Sequence, residues 1–181
     1  MHALSKKMAL SALCVGICVA TSPPLAIAAD PAPKIAFAFN SADISGFPTG
    51  AVSLTGGGAF NLTAGFVNSA GGFKCTADVL QGPLNGCLAG EGIRWDTSDL
   101  LNSTPFKCTG AASEALKTAV TGTNTDVLLA DFYRQGDGVD ESFTARMIVS
   151  DSDLAPDIAG LQNVWIQGVG CGSAIVHFNT R

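Results

Sequence analysis

Basic residues are scarce in this chain of 181 residues, and their scarcity excludes a class of partner. Ten lysines and arginines stand against fifteen acidic residues, so the formal net charge is −5. The lysines beyond residue 30 are scattered along the chain and form no basic cluster. Because phosphate backbones and anionic headgroups bind basic surfaces, we expect no nucleic-acid partner.

Catalytic and metal-binding signatures are missing as well. Beyond residue 28 the chain has one histidine, His177, and no G-x-S-x-G sequence that would present a nucleophilic serine. No C-x2-C pair marks a zinc site. The glycine-rich segment 168–172 lacks the Lys-Ser or Lys-Thr ending of a phosphate-binding loop. The sequence therefore predicts no cofactor and favours a protein that is not an enzyme.

A hydrophobic run long enough to span a membrane, about 20 residues, is also missing. The apolar run at 8–20 follows a segment with two lysines and no acid, and it precedes two prolines and the small-x-small triplet 26–28. This order is typical of a secretory signal peptide. We predict that residues 1–28 are removed and that residues 29–181 form a single exported β-rich domain without a membrane span.

Cleavage would leave a more acidic protein in an oxidising compartment. The net charge falls from −5 to −7, because Lys6 and Lys7 leave and all fifteen acidic residues stay. We expect a periplasmic or extracellular location. The expected partner is a protein or a component of the cell envelope.

The remaining cysteines are even in number, which in an exported chain predicts two disulfides. Of the three possible pairings we favour Cys75–Cys87, which closes a short loop with glycine and proline, together with Cys108–Cys171, which joins distant segments. In the alternative, Cys171 is a free nucleophile that His177 activates.

Alternating apolar and polar residues, which are typical of half-buried β-strands, dominate the chain after residue 34. Ile35, Phe37 and Phe39 alternate with small or polar residues, and glycines separate the stretches that follow. The sequence predicts a mainly β domain of about eight strands, stapled by disulfides, as a β-sandwich or a flattened barrel. Phe-Lys-Cys-Thr occurs at 73–76 and again at 106–109, which predicts two equivalent strands.

One short helix is predicted in the middle of the chain, and a single helical turn is predicted over 96–102. The residues that indicate the helix are the apolar face Ala112, Leu116, Ala119 and Val120, the caps Thr109 or Ser113, and the stop signal Gly122.

Acidic residues provide the candidate sites. Glu91 and Asp96 flank Arg94-Trp95, and two carboxyl groups beside an aromatic ring suit a glycan-acting hydrolase. Two predicted loops hold further acidic residues: Asp137, Asp140 and Glu141 at 135–141, and Asp151, Asp153 and Asp157 after the next strand. The first loop is a candidate for binding a partner, because it is polar, hinged by glycines and presented by a hairpin. The second is a weak alternative for calcium, because it lacks the glycine and the closing glutamate of an EF-type loop.

Three functions follow from these observations. The leading hypothesis is an exported, non-enzymatic binding or cell-envelope module. The alternatives are a hydrolase that uses Glu91 and Asp96, and a carrier of a small apolar ligand, which ten phenylalanines and a mean hydropathy of +0.33 suggest. An acidic cleft walled by Trp95 would favour the hydrolase, and a deep apolar cavity inside a barrel would favour the carrier.

Overall fold

The computed structural model describes residues 33–134 and 142–180, and these residues form eleven strands without a helix. The strands are β1 (Ile35–Gly46), β2 (Ala51–Asn61), β3 (Phe66–Ala77), β4 (Arg94–Leu100), β5 (Ser103–Phe106), β6 (Lys117–Val120), β7 (Thr125–Tyr133), β8 (Ser142–Ser150), β9 (Val164–Ile166), β10 (Gly170–Gly172) and β11 (Ile175–Thr180). The prediction of a mainly β fold is confirmed.

Eight strands close into an antiparallel ring, so the fold takes the barrel form of the prediction. The order around the ring is β10-β9-β8-β7-β4-β3-β2-β1, and β10 pairs with β1 to close it. β1 is long enough to serve two neighbours along one edge. Its residues 44–46 pair with β10, and its residues 35–40 pair with β11, the ninth strand of the sheet.

The interior of the ring is filled by large apolar side chains, which we call the inner cluster. Phe60, Trp95 and Phe132 are fully buried there. The Trp95 indole N–H donates to the carbonyl of Thr55 at 2.9 Å. A Cβ on Gly56 would come within 2.5 Å of the Trp95 ring, so this strand position requires glycine.

A second apolar cluster, the outer cluster, lies on the other face of the ring wall. The β5–β6 hairpin covers this face, and Phe106 from the hairpin packs against Trp165 with ring centroids 5.8 Å apart. On β8, Met147 and Val149 belong to the inner cluster and Ile148 to the outer one. Strands buried on both faces read as continuous apolar runs, which explains why this part of the sequence does not alternate.

Both predicted helical segments are wrong. Residues 117–120 form β6, which pairs with β5, and only Ala119 of the predicted helical face is buried, while Leu116 and Val120 are exposed. Residues 111–114, which include Ala112 and Ser113, form a turn. Most of the predicted turn at 96–102 belongs to β4. Pairing with neighbouring strands outweighs a weak helical preference in both places.

The disulfide prediction is confirmed in both pairs. Cys75–Cys87 belongs to the inner cluster and Cys108–Cys171 to the outer one, with Cα–Cα distances of 6.3 and 4.8 Å. Two intramolecular disulfides are consistent with an oxidising, exported location. The alternative of a free, nucleophilic Cys171 is wrong.

Two predicted features lie outside the described residues. They are the signal peptide, residues 1–28, and the candidate binding loop with Asp137, Asp140 and Glu141. Within 33–134 and 142–180, no helix has the length and apolar character needed to cross a membrane.

Candidate functional site

Glu91, one of the two candidate catalytic acids, is engaged in structural contacts. Its carboxylate accepts the backbone N–H of Leu88 at 2.9 Å and forms a salt bridge with Arg134 at 2.9 Å. The Leu88 hydrogen bond lowers the pKa of Glu91, and Arg134 lowers it further against the opposing effect of burial. This carboxylate ties the turn before β4 to the end of β7.

Asp96, the second candidate, lies on the outer face of β4. It pairs with Arg94 at 2.6 Å, and the Arg94 guanidinium lies 3.9 Å from the ring centroid of Tyr133. Trp95 points the other way, into the inner cluster. The structure therefore separates this acid from the aromatic ring that was expected beside it.

The acidic residues after β8 form hydrogen bonds and a salt bridge that stabilise their own loop. Asp153 accepts the backbone N–H groups of Ala155 at 3.0 Å and Gln162 at 3.2 Å. Asp157 forms a salt bridge with Lys117 of β6 at 3.0 Å, and Asp151 accepts a hydrogen bond from the hydroxyl of its neighbour Ser152. In the described part of the chain, no group of three histidine, cysteine or acidic side chains is placed to hold a metal ion.

An open apolar groove of about 430 Å³ lies where the β5–β6 hairpin meets the ring. We call it the outer groove. Its apolar lining consists of Phe47, Pro83, Pro105, Phe106, Leu116 and Trp165, and the remaining lining residues are Lys107, Gln167 and the glycines 82, 110 and 168. Of these residues only Lys107 is ionisable, so the lining suits an apolar group better than acid–base chemistry.

The walls of the outer groove are held by partly buried hydrogen bonds. The Trp165 indole N–H donates to the carbonyl of Lys107 at 2.8 Å, which links β9 to the hairpin. The Gln81 amide donates to the carbonyls of Thr49 at 2.6 Å and Gly168 at 2.8 Å. Four segments that are far apart in sequence, at positions 49, 81, 107 and 165–168, therefore meet at fixed positions.

Two glycines allow these segments to approach closely. Gly82 has a φ of +69°, and a Cβ there would lie 2.7 Å from the Cα of Gly168. Gly168 has a φ of +82° and meets Gly82 in the same way. Larger residues at either position would push the wall at Pro83 away from the segment at Gln167 and Gly168.

Glu114 organises the loop between β5 and β6 that forms the rim of the groove. Its carboxylate accepts the backbone N–H groups of Cys108 at 2.6 Å and Thr109 at 2.8 Å, together with the Thr109 hydroxyl and the Lys117 ammonium. Burial raises the pKa of this carboxyl, but the four hydrogen bonds outweigh it and lower the pKa to about 2.

Asp126 contrasts with Glu114, because its buried carboxyl group has no hydrogen bonds within the described part of the chain that offset the loss of solvation. It is fully buried on β7, on the face that Leu128 presents to the inner cluster. Among the described residues, neither of its oxygens has a hydrogen-bond partner. Burial raises the pKa of Asp126 from 3.8 to about 8, so this side chain carries a proton at neutral pH.

Sequence analysis missed both the outer groove and Asp126. The groove joins residues more than 100 positions apart, and the one available signal was the position of Phe106 and Trp165 near a predicted disulfide. Asp126 stands at the start of a strand, where an acidic residue is ordinarily solvated.

Comparison with protein-family models, with curated proteins and with solved structures finds no match for this chain. A functional conclusion therefore rests on the geometry of the described residues.

Proposed function

We propose that this protein is an exported, non-enzymatic binding module, periplasmic or extracellular, and that the outer groove is its binding site. The observation that carries the proposal is the apolar lining of a preformed groove of about 430 Å³. Sites for small molecules and for side chains of a partner are typically apolar concavities of roughly 300–1,000 Å³. The ligand is an apolar group, either a small molecule or the side chains of a protein or envelope component.

The disulfides support this proposal through the rigidity of the groove. Pro83 lies in the loop that Cys75–Cys87 closes, and Lys107 directly precedes Cys108. Two walls are therefore covalently anchored to the ring. A rigid site avoids much of the entropy cost of ordering loops on binding.

The alternative functions receive less support from the geometry. The barrel interior, where an apolar carrier would hold its ligand, is occupied by Phe60, Trp95 and Phe132. Glu91 and Asp96, the acids of the hydrolase hypothesis, each pair with an arginine. Both alternatives stay predictions, and no observation favours either over the groove.

The proposal is tested with Leu116→Asp and a matched control. Leu116 lines the groove and is 68% exposed, whereas Val120, 63% exposed, lies on the same hairpin and is not part of the lining. The probe is N-phenyl-1-naphthylamine, a neutral apolar dye that fluoresces when it leaves water. We expect Leu116→Asp to weaken dye binding at least tenfold, because burying a leucine side chain is worth about 1.5–3 kcal/mol.

Val120→Asp should bind the dye as the wild type does. Both variants should unfold within about 0.5 kcal/mol of the wild type, as exposed substitutions usually do. Equal dye binding by Leu116→Asp and the wild type would show that the groove is not the site. Glu91→Gln and Asp96→Asn should leave dye binding unchanged.

A further inference from the structure

β11 leaves one edge of the sheet open. On one side it pairs with β1 over residues 35–40, and among the described residues no backbone group pairs with its other side. Alternate residues of a strand direct their N–H and C=O groups to opposite sides. About half of the backbone groups of β11 therefore face away from the sheet without a partner strand.

The side chain of Asn163 marks the point where ring closure stops. The β9–β10 pairing ends at Val164 and Gly172. Beyond it the Asn163 amide donates to the carbonyl of Ala174 at 3.1 Å and accepts the Ala174 N–H at 2.7 Å. The chain then turns away, since the N–H of Gln162 bonds to Asp153. Nothing in this segment covers β11.

The open edge lacks the features with which proteins usually block such edges. Prolines, lysines, inward-pointing charges and bulges prevent strands from pairing with other chains. Between Ile175 and Thr180 there is no proline, lysine or acid, and the pairing with β1 is regular. Ile175 is 70% exposed, and the inward-facing Val176 and Phe178 are only half-buried. An added strand would cover all three side chains.

The charge distribution indicates which strand can be added. The chain as a whole is acidic, but β11 carries no acid, lysine or arginine. The neighbouring outward positions of β1 are Ala36, Ala38 and Asn40, which are also uncharged. A second copy can therefore approach through this edge without bringing like charges together, whereas most other orientations oppose two acidic surfaces.

We propose that two copies of this chain associate through β11, edge to edge and antiparallel across a twofold axis. The β3-β2-β1-β11 part of the sheet then continues into the same strands of the partner. Residues that lie opposite each other across the axis must face the same side of the sheet, so the axis passes at a residue and not between two. His177 and Phe178 lie at the middle of β11, and an axis at either of them pairs the largest number of residues. A six-residue edge buries less than the roughly 1,200 Å² of a standard interface, and the dimer is accordingly weak and concentration-dependent.

The test compares an edge variant with a control that adds the same charge elsewhere. The edge variant is Ile175→Lys with His177→Lys, at exposed positions of β11. The control is Leu80→Lys with Val120→Lys, at positions 60% and 63% exposed and outside the edge. Sedimentation equilibrium of the oxidised protein, exported from the full chain, gives the mass from micromolar to millimolar concentration.

We expect the mass of the wild type and of the control to double as concentration rises, while the edge variant stays monomeric. Hydrogen exchange of alternate amides in β11 should slow at high concentration in the wild type and in the control, but not in the edge variant. A wild type that stays monomeric up to millimolar concentration, or an edge variant that dimerises equally, would overturn the proposal. Leu116→Asp separates the two sites, because it should weaken dye binding at least tenfold and leave dimerisation intact. Loss of the dimer in that variant would place association at the groove and contradict pairing through β11.

Discussion

The inner and outer clusters are similar in composition, but the buried carboxyl groups beside them differ in hydrogen bonding and in pKa. Each cluster has one disulfide and a set of aromatic and aliphatic side chains. Glu114 at the outer cluster receives four hydrogen bonds, and its pKa falls to about 2. Asp126, on the inner face of β7, receives none among the described residues, and burial raises its pKa to about 8. The same functional group is therefore charged in one layer and neutral in the other.

The clusters also differ in how completely the surrounding strands and loops cover them. The inner cluster is surrounded by a ring of strands, so its side chains fill the available space. The outer cluster is covered by a hairpin of two four-residue strands and two loops. Phe106 and Trp165 are buried beneath this cover, but the outer groove remains beside it, with Leu116 of its lining 68% exposed. Incomplete cover is what leaves an apolar site open to a ligand.

Removing the disulfide of either cluster should destabilise the protein, and the loss should be larger for the disulfide that closes the longer segment of chain. Cys108–Cys171 spans 63 positions and Cys75–Cys87 spans 12. The chain-entropy relation predicts losses of about 4 and about 3 kcal/mol, respectively. Cys108→Ala/Cys171→Ala and Cys75→Ala/Cys87→Ala should show this order in urea unfolding. A larger loss from the shorter loop would mean that native packing around Cys75–Cys87, and not loop length, dominates.

Asp126→Asn tests whether the inner cluster is destabilised by its carboxyl group. The unfolded chain releases this proton near pH 3.8 and the folded chain only near pH 8. Between these values the folded state binds more protons, so stability falls as pH rises, by up to about 1.4 kcal/mol per pH unit. The asparagine variant should lose this slope and be more stable than the wild type at pH 8 by several kcal/mol, because the slope accumulates over about four pH units.

Urea unfolding between pH 4 and pH 9 measures the effect of Asp126→Asn. Asp99→Asn, an exposed position on β4, is the matched control and should retain the slope of the wild type. If Asp126→Asn kept the same pH dependence, the carboxyl group would be solvated or partnered in solution.

Glu114→Gln should have the smallest effect and the opposite pH dependence. The folded-state pKa of about 2 lies below the usual 4.5, so the charged group stabilises the fold above about pH 4.5 and loses this contribution as pH falls towards 2. Glutamine keeps an acceptor oxygen and loses the charge, which should cost about 1 kcal/mol at neutral pH. Unfolding at pH 7 and pH 2.5 checks this. An equal difference at both values would contradict the role of the charge.

The repeated Phe-Lys-Cys-Thr sequence shows what a local sequence pattern can predict and what it cannot. At 73–76 its phenylalanine and cysteine lie in the inner cluster, and at 106–109 they lie in the outer one. Alternation correctly indicates which side chains are buried in both copies. The two strands are nevertheless not equivalent, since β3 belongs to the ring and β5 to the separate hairpin.

The sequence alone determined the mainly β character of this protein and indicated two disulfides, because strand alternation and an even number of cysteines can be read without knowing the fold. It favoured the observed disulfide pairing, but the tertiary structure decided among the three possible pairings. The helix predicted at 112–120 is wrong for the same reason: a helical face is a local pattern, whereas the pairing of β6 with β5 is not. Only the tertiary structure decided the closure of the ring, the outer groove and the burial of Asp126. Each of these depends on which distant segments exclude water from a given surface, and that is set by the packing of the whole chain.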